Sequence, residues 1–221
     1  MRGILFTGGE APESGLAAPF MSGYGCAVAA DSGLAACERF GVEPDLIVGD
    51  MDSLPDPAAL GKYPAARVER WPHDKDYTDT EIALAALTER EVDDIVILGG
   101  GGGRVDHFLA LKALFDRDPC PSVWVSDASV CVSVGVGTPS VAVRILGLSH
   151  EDPVSVFPVG PGRHQAAGSG FHWPIDGLDW DGGAFSLSNR ADSGSVSIEA
   201  REGRFICVFP LAGGRSFSRE R

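Results

Sequence analysis

The sequence lacks any apolar run that approaches the roughly 20 residues required by a transmembrane helix. It is also poor in basic residues, because 18 Lys and Arg stand against 31 Asp and Glu among 221 residues, for a formal net charge of −13. A protein that binds nucleic acid without sequence specificity needs a basic face. The composition therefore disfavours both a membrane protein and a nucleic-acid binder.

Cysteine is present only as five scattered residues, with no Cys-x-x-Cys pair. An odd, unpaired set argues against a disulfide framework and against a thiolate zinc site. Most of the cysteines have apolar neighbours, which predicts that they are small core residues. The apolar stretch near the first residue is too short for a signal peptide, so we predict a cytoplasmic protein.

Residues 1–128 alternate short apolar strands with helical patterns, which predicts an α/β domain with a mostly parallel sheet. The strands are predicted at 4–7, 26–30, 45–48, 94–98 and 122–126. The helices are predicted at 34–40, 78–90 and 106–115. Gly41 is a candidate glycine cap after the first helix, and Thr78-Asp-Thr-Glu81 fits a capping box at the start of the second.

Helical periodicity is lost after residue 128, and Gly, Ser, Val and Phe dominate residues 129–221. Turn sequences separate predicted strands at 130–136, 140–145, 154–159, 184–187, 195–199 and 205–209. We therefore predict a second, all-β domain over 129–221, a small antiparallel sandwich or barrel. The polar residues from Gly213 onward are expected to fray.

Four polar clusters lie at predicted strand ends or helix starts, the edge at which open α/β sheets bind ligands. They are residues 30–33, 48–53, 73–81 and 99–107. Taken alone, each also fits a structural role, such as a turn, a capped helix start or a core histidine.

Together the clusters favour chemistry on a magnesium-bound polyphosphate. Asp50-Met-Asp52 offers the hard oxygen ligands that Mg²⁺ takes beside substrate phosphates. The helix start near Asp79 favours phosphate through its free N–H groups. The glycines at 99–103 allow close backbone approach to a ligand, and Arg104 can hold phosphate bidentately. No Gly-Lys-Ser/Thr ends that glycine run, so it is not a Walker A loop.

These motifs resemble those of the thiamine pyrophosphokinase family, in order and spacing, across nearly the whole chain. The first stretch runs from Ala30-Asp31-Ser-Gly33 through Pro44-Asp45 to Gly49-Asp50-Met-Asp52-Ser53. The second is Lys75-Asp-Tyr-Thr78-Asp79-Thr-Glu81, and the third is Gly102-Gly-Arg104-Val-Asp106-His107. In the second part, Gly170-Phe-His-Trp173-Pro-Ile and Ser186-Leu-Ser188-Asn189 resemble the family's C-terminal elements.

The resemblance implies an N-terminal α/β domain that binds nucleotide and magnesium and a C-terminal β-sandwich that binds thiamine and forms a homodimer. It also implies a reaction in which the hydroxyl of thiamine attacks the β-phosphorus of ATP and AMP leaves, with Mg²⁺ as the cofactor. The group that accepts the hydroxyl proton stays open between Asp52, Asp106 and a water molecule.

The resemblance further assigns roles to residues of this chain. The metal ligands would be Asp50, Asp52 and Asp79. The residues acting in catalysis would be Asp52, Asp79, Arg104 and Asp106. The nucleotide site would include Asp31, Ser32, Gly33, Asp50, Lys75, Thr78, Arg104, Asp106 and His107. The thiamine site would include Ser169, Phe171, Trp173, Ser188 and Asn189.

Two of these assignments have alternatives. The electron-rich face of Trp173 suits a cationic thiazolium, but ordinary packing in the sandwich would also account for a tryptophan there. Lys75 could contact ATP, or thiamine across a subunit interface.

The chain departs from the family pattern at five positions, which are Ser32, Ala35, Leu111, Ser129 and His172. These departures keep open a non-catalytic protein that senses thiamine or a nucleotide. The Asp-x-Asp pair by itself would also fit a phosphohydrolase with an aspartyl nucleophile.

Overall fold

The computed structural model describes residues 1–220, which form two compact units. The first comprises Met1–Leu109 and Val125–Asp127, and the second comprises Ala110–Trp124 and the residues from Ala128 onward. None of the helices within the described residues has the length and apolar character to span a membrane.

A parallel sheet forms the centre of the first unit. Its strands are β1 (Arg2–Phe6), β2 (Cys26–Ala30), β3 (Leu46–Gly49), β4 (Val68–Arg70) and β5 (Asp94–Leu98). Their order in the sheet is β4-β3-β2-β1-β5, and every pairing is parallel. All residues of β2 and β3 are buried, as expected for strands of a parallel sheet covered on both faces.

Four α-helices follow or separate these strands. They are α1 (Ser14–Met21), α2 (Gly33–Arg39), α3 (Asp79–Glu89) and α4 (Val105–Ala113), and 3₁₀ turns occupy Pro57–Lys62, Ala65–Arg67 and Leu114–Asp116. The predicted capping box at the start of α3 is present. Gly41, just after α2, has a φ of 66°, which confirms the glycine cap.

The second unit contains two antiparallel sheets. After β6 (Val123–Val125), the strands are β7 (Ser129–Gly135), β8 (Ala142–Leu146), β9 (Val154–Val159), β10 (Gln165–Ser169), β11 (Ser186–Asn189), β12 (Ser195–Glu202), β13 (Arg204–Pro210) and β14 (Ser216–Glu220). One sheet has the order β11-β9-β13-β7 and the other β10-β12-β8-β14. Phe205 and Phe209 of β13 are fully buried, and β13 pairs with both β7 and β9. The predicted fold class is confirmed.

The expectation that residues from Gly213 onward fray is wrong. β14 pairs with β8 along its whole length, with Phe217 opposite Ile145. Arg215 precedes the strand and pairs with Asp152 at 2.6 Å, both largely buried. The strand looks polar because it lies at a sheet edge, where backbone hydrogen bonds to its neighbour hold it in place.

Three further elements were not predicted, namely α1, β4 and β10. Helix α1 has no side-chain cap, so its sequence lacks the usual start signal. It also contains Pro19, a residue that disfavours a helix interior. Strand β4 has only three residues, and β10 is rich in Ala and Gly, which are poor strand formers.

Candidate active site

The ends of neighbouring parallel strands place polar residues side by side. Thr7 follows β1, Asp31 follows β2 and Asp50 follows β3, and these three strands are adjacent in the sheet. The first turn of α3 joins the same edge, because Thr80 Oγ1 lies 2.6 Å from Thr7 Oγ1 and Asp79 opens the helix. The edge predicted to bind ligands thus gathers side chains from four segments of the chain.

Three carboxylates form the centre of this site, and we refer to Asp31, Asp50 and Asp79 as the carboxylate cluster. Each offers one oxygen, and these oxygens all lie within 4.8 Å of one another. Gly49 permits this convergence, because its φ is 143° and a Cβ there would lie 3.0 Å from Asp31 Cβ and 3.2 Å from Asp79 Cγ. Any side chain at Gly49 would strain the backbone and press on two members of the cluster.

Lys75 contacts the cluster through its ammonium group. Its Nζ lies 3.1 Å from Asp50 Oδ2 and 3.2 Å from Asp79 Oδ1, and it donates to the carbonyl of Pro72 at 3.1 Å. Burial opposes the charge on this ammonium, but the contacts with the two carboxylates outweigh burial and raise the pKa of Lys75. Lys75 therefore supplies one fixed positive charge against three carboxylates.

The surroundings shift the pKa values of Asp50 and Asp79 in opposite directions. The amide of Asp52 donates to Asp50 Oδ1 at 3.1 Å and, with help from Lys75, lowers the pKa of Asp50. Burial raises the pKa of Asp79 against the pull of Lys75, and the negative charges of Asp50 and Asp31 add to the rise. The surroundings of Asp79 therefore disfavour its charged form.

Two buried oxygens in the cluster are incompletely satisfied. Asp31 is only 8% exposed, and its Oδ1 accepts no hydrogen bond. Asp79 Oδ1 also accepts none and has only its ion-pair contact with Lys75. Buried carboxylate oxygens without donors are costly unless a cation satisfies them, and carboxylate oxygens are ligands that Mg²⁺ prefers. The donor set therefore fits a divalent cation.

The structure groups the predicted metal ligands in two sets. Asp50 and Asp79 lie together with Asp31, which the sequence placed at the nucleotide. Asp52 is exposed and forms a second group with Asp50 and His73, again with ligand atoms within 4.8 Å of one another. Asp50 is common to both groups.

The hydroxyl of Thr78 is engaged within its own helix. It accepts from the amide of Glu81 at 3.2 Å and donates to the Glu81 carboxylate at 2.8 Å. The same carboxylate accepts from the amide of Thr78 at 2.8 Å. Thr78 therefore fixes where α3 begins, and so where Asp79 lies.

Ser32 and Gly33 lie where α2 meets the end of β1. A Cβ on Gly33 would lie 2.2 Å from the carbonyl oxygen of Phe6, so the helix can approach the strand only with glycine at this position. A Cβ on Gly8 would lie 2.5 Å from Ser32 Oγ, which brings the serine close to the turn after β1.

The glycine run after β5 leads into an exposed ion pair. Gly102 and Gly103 have φ values of 91° and 82°, which favour glycine. Arg104 donates to both carboxylate oxygens of Asp106, at 3.2 and 2.6 Å, and the two side chains are about two-thirds exposed. The guanidinium lowers the pKa of Asp106 to about 2. His107 is exposed beside this pair.

In the second unit, Asn189 holds the backbone of Trp173. Asn189 is 2% exposed, accepts from the amide of Trp173 at 3.1 Å and donates to the carbonyl of Trp173 at 2.7 Å. Phe171 is buried, and Ser188 has a φ of 52° with its amide donating to Ser155 Oγ at 3.0 Å. Ser169, the last residue of β10, is exposed.

The ring of Trp173 is half exposed, at 54%, and already has a cation over it. The guanidinium carbon of Arg190 lies 5.1 Å from the ring centroid, and His172 packs edge-on at 4.7 Å. His172 in turn lies 2.8 Å from an Asp192 oxygen and 3.0 Å from Arg190 Nη2. No motif in the sequence pointed to Arg190 or Asp192, although Arg190 directly follows Ser188-Asn189.

Comparison with known proteins finds a similarity to one enzyme family. Residues 19–118 match the family model described as "Thiamin pyrophosphokinase, catalytic domain". The match covers a little under half of the chain, and over this segment the chain is similar to the thiamin pyrophosphokinase family. The matched segment contains the carboxylate cluster, Lys75 and the Arg104–Asp106 pair, but none of the predicted thiamine residues. Comparison with curated protein sequences gives no match.

Solved structures similar to this chain include several thiamin pyrophosphokinases. The enzyme from Geobacillus thermodenitrificans is 23% identical, with a TM-score of 0.68 and coverage of 97% of this chain and 99% of its own. The Bacillus subtilis enzyme is 19% identical, with a TM-score of 0.72 and coverage of 96% and 100%. The Candida albicans enzyme is 14% identical, with a TM-score of 0.64 and coverage of 96% and 89%. At these identities the likeness establishes a shared fold along nearly the whole chain.

Proposed function

We propose that this protein transfers the pyrophosphoryl group of ATP to the hydroxyl of thiamine, forming thiamine diphosphate and AMP. The observation that carries the proposal is the carboxylate cluster, with the buried Asp31 Oδ1 that has no partner, placed inside the matched catalytic segment. A set of hard oxygen ligands at the carboxyl edge of a parallel sheet suits a nucleotide bound through a metal.

Mg²⁺ would be held by Asp50 and Asp79, with Asp31 or Asp52 as a further ligand. When bound there, it would offset the negative charge of the polyphosphate. The protein also supplies positive charge through the side chains of Lys75 and Arg104, which both lie in the matched segment. Arg104 has a planar fork suited to phosphate, and its present partner, Asp106, is exposed enough to be exchanged for one.

The remaining predicted nucleotide residues are proposed to support this arrangement. The close packing of Gly33 on β1 and the capping box of Thr78 position the starts of α2 and α3. Ser32 and His107 supply polar groups near two of these turns. Asp31, being buried, would act on the nucleotide through a cation rather than directly.

Asp106 is a poor candidate for the proton acceptor. Its pKa of about 2 means that it binds a proton weakly near neutral pH. Of the open candidates, we therefore propose that Asp52 or a water molecule takes the proton of the thiamine hydroxyl. Asp52 is exposed and beside Asp50, within reach of a ligand from solvent.

Thiamine is proposed to bind in the second unit against Trp173. The contact with Arg190 indicates that the ring accepts a cation on its face, which is the interaction a thiazolium would make. Asn189 keeps the ring in position through two backbone hydrogen bonds. The homodimer and the cytoplasmic location stay predictions.

A product assay tests the proposed reaction. The purified protein is incubated with Mg·ATP, with and without thiamine, and AMP, ADP and inorganic phosphate are separated. Thiamine-dependent AMP with an equal amount of thiamine diphosphate would support the proposal. ADP would indicate transfer of the γ-phosphoryl group, phosphate without thiamine would indicate a hydrolase, and binding without product would indicate a sensor.

A further inference from the structure

The ammonium of Lys75 lies at the place where a cation would be expected in the carboxylate cluster. The side chain is only 10% exposed, and its Nζ contacts one oxygen of Asp50 and one of Asp79 at 3.1 and 3.2 Å. The Asp79 oxygen that it contacts is one that the cluster would offer to a metal, because it is buried and Lys75 is its one contact.

This arrangement leaves the cluster only partly neutralised. One ammonium faces three carboxylates, and the buried Oδ1 of Asp31 is left without a donor. A tetrahedral ammonium with a single charge satisfies two of the carboxylates, whereas a divalent cation can bind oxygens from all three. The same oxygens cannot serve both cations fully, because two positive charges would then lie within a few ångströms of each other.

We propose that Lys75 stands in for the metal and leaves the carboxylate cluster when a divalent cation binds. The inference rests on the metal site of the proposed function. In the metal-free protein the ammonium limits repulsion among the three carboxylates. Once released, its flexible four-carbon stem makes the same charge available to the phosphates of the nucleotide.

The consequence is that metal binding and phosphate binding are coupled through one side chain. Lys75 can serve the phosphates only after a metal has replaced it at Asp50 and Asp79. The contrasting arrangement keeps Lys75 in place and puts the metal at the second group, formed by Asp50, Asp52 and His73. The two arrangements differ in what Lys75 does when metal is added alone.

Nuclear magnetic resonance of the lysine side chains distinguishes them directly. The chain has only three lysines, Lys62, Lys75 and Lys112, so protein labelled with ¹⁵N at lysine Nζ is simple to assign. The Lys75→Arg variant identifies the Lys75 signal. Exposed ammonium groups exchange protons quickly, while Lys75 is buried against carboxylates, and its signal is expected to be the sharpest of the three.

Adding Mg²⁺ alone is expected to expose the Lys75 ammonium, so that its protons exchange about as fast as those of Lys62 and its signal broadens, while the signals of Lys62 and Lys112 stay unchanged. Metal at the second group would shift the Lys75 signal through Asp50 but leave its proton exchange slow. A Lys75 signal that stays sharp at a Mg²⁺ concentration that saturates the protein, whether or not it shifts, overturns the proposal. The measurement is made on wild-type protein. If variants of Lys75 do not fold, Lys62→Arg and Lys112→Arg identify the other two signals, and the third belongs to Lys75.

Removing the ammonium gives a second test. Lys75→Met is expected to bind Mn²⁺ about tenfold more tightly than wild type in a titration without nucleotide, since the metal no longer competes with a resident cation. Lys62→Met, which removes an exposed ion pair with Glu38, serves as the control and is expected to bind Mn²⁺ like wild type. Equal or weaker Mn²⁺ binding by Lys75→Met contradicts the proposal.

The test of lysine displacement is independent of the product assay, because neither the Mg²⁺ titration nor the Mn²⁺ titration contains thiamine or ATP. A protein that makes AMP but keeps its Lys75 signal on Mg²⁺ addition refutes only the displacement. A protein that loses the Lys75 signal but makes no AMP refutes only the proposed reaction.

Discussion

At the scale of single residues, the site depends on one position that has no side chain. Gly49 combines a φ of 143° with a close approach to Asp31 and Asp79. Backbone strain and steric pressure therefore act together at this position, and they can be separated by comparison with another glycine.

We predict that Gly49→Ala destabilises the protein by about 1–3 kcal/mol and weakens Mn²⁺ binding. The reason is that the new methyl group presses on both carboxylate residues. Gly23→Ala is the control, since Gly23 has a φ of 75° but open space around its Cβ. Denaturant unfolding and a Mn²⁺ titration check the prediction, and unchanged Mn²⁺ affinity in Gly49→Ala would contradict it.

Asp79 is predicted to lower stability in the absence of metal. Burial raises its pKa in the folded state, so its contribution to stability is present below the unfolded value of 3.8 and is lost as pH rises through the folded value. At neutral pH the ionised group is therefore unfavourable. Asp79→Asn is expected to raise the free energy of unfolding without metal and to reduce turnover at least about a hundredfold.

Urea unfolding at pH 7, with and without Mg²⁺, together with the AMP assay, tests this trade-off. Asp74→Asn, which changes an exposed acidic residue in the loop before α3, is the matched control. A destabilised metal-free Asp79→Asn protein, or one that retains turnover, would show the assignment to be wrong.

At the scale of elements, the start of α3 determines where Asp79 lies. The capping box ties Thr78 to Glu81 through three hydrogen bonds. We predict that Thr78→Ala costs about 1 kcal/mol of stability and also lowers turnover, and that Thr78→Ser restores both. Thr88→Ala, in the last turn of α3, is expected to leave turnover unchanged, and equal loss in the two alanine variants would count against a positioning role.

The anchoring of β14 depends on a largely buried ion pair. Arg215 and Asp152 have side chains that are 15% and 11% exposed. Arg215→Ala leaves the Asp152 carboxylate without its partner, and we predict a loss of about 3 kcal/mol in the free energy of unfolding. Arg163→Ala, at an exposed ion pair with Asp181, should cost less than about 1 kcal/mol. Similar losses in the two variants would argue against the anchoring role.

At the scale of the whole molecule, the five cysteines make the protein sensitive to alkaline pH. All five are free and buried, and burial raises the pKa of Cys131 from 9.0 to about 12 and that of Cys120 to about 11. A raised folded-state pKa gives stability that is present below pH 9 and lost as pH rises through the folded values.

We therefore predict that the free energy of unfolding falls between pH 9 and pH 11, and that Cys131→Ala reduces the size of this fall. Urea unfolding at pH 7 and pH 10.5 measures the effect. An identical fall in wild type and Cys131→Ala would contradict the role of this thiol. The folded protein is also expected to be unreactive toward thiol reagents at pH 8.

Local signals in the sequence predicted much of the fold because they need no distant partner. The strands at 26–30, 94–98 and 154–159 have the predicted bounds, since each is a short apolar run between turn residues. The capping box at Thr78 and the glycine cap at Gly41 are confirmed for the same reason. By contrast, β14 looks like a frayed tail until β8 lies beside it.

The sequence by itself determined the fold class, the buried reduced cysteines and the edge of the sheet at which the polar clusters lie. Short-range patterning is sufficient for these, because the carboxyl ends of parallel strands must meet at one edge. Only the tertiary structure decided that Asp31 joins Asp50 and Asp79, that Lys75 lies against them, and that Arg190 covers Trp173. These contacts join residues far apart in the chain, and their geometry depends on packing and charge rather than on local sequence.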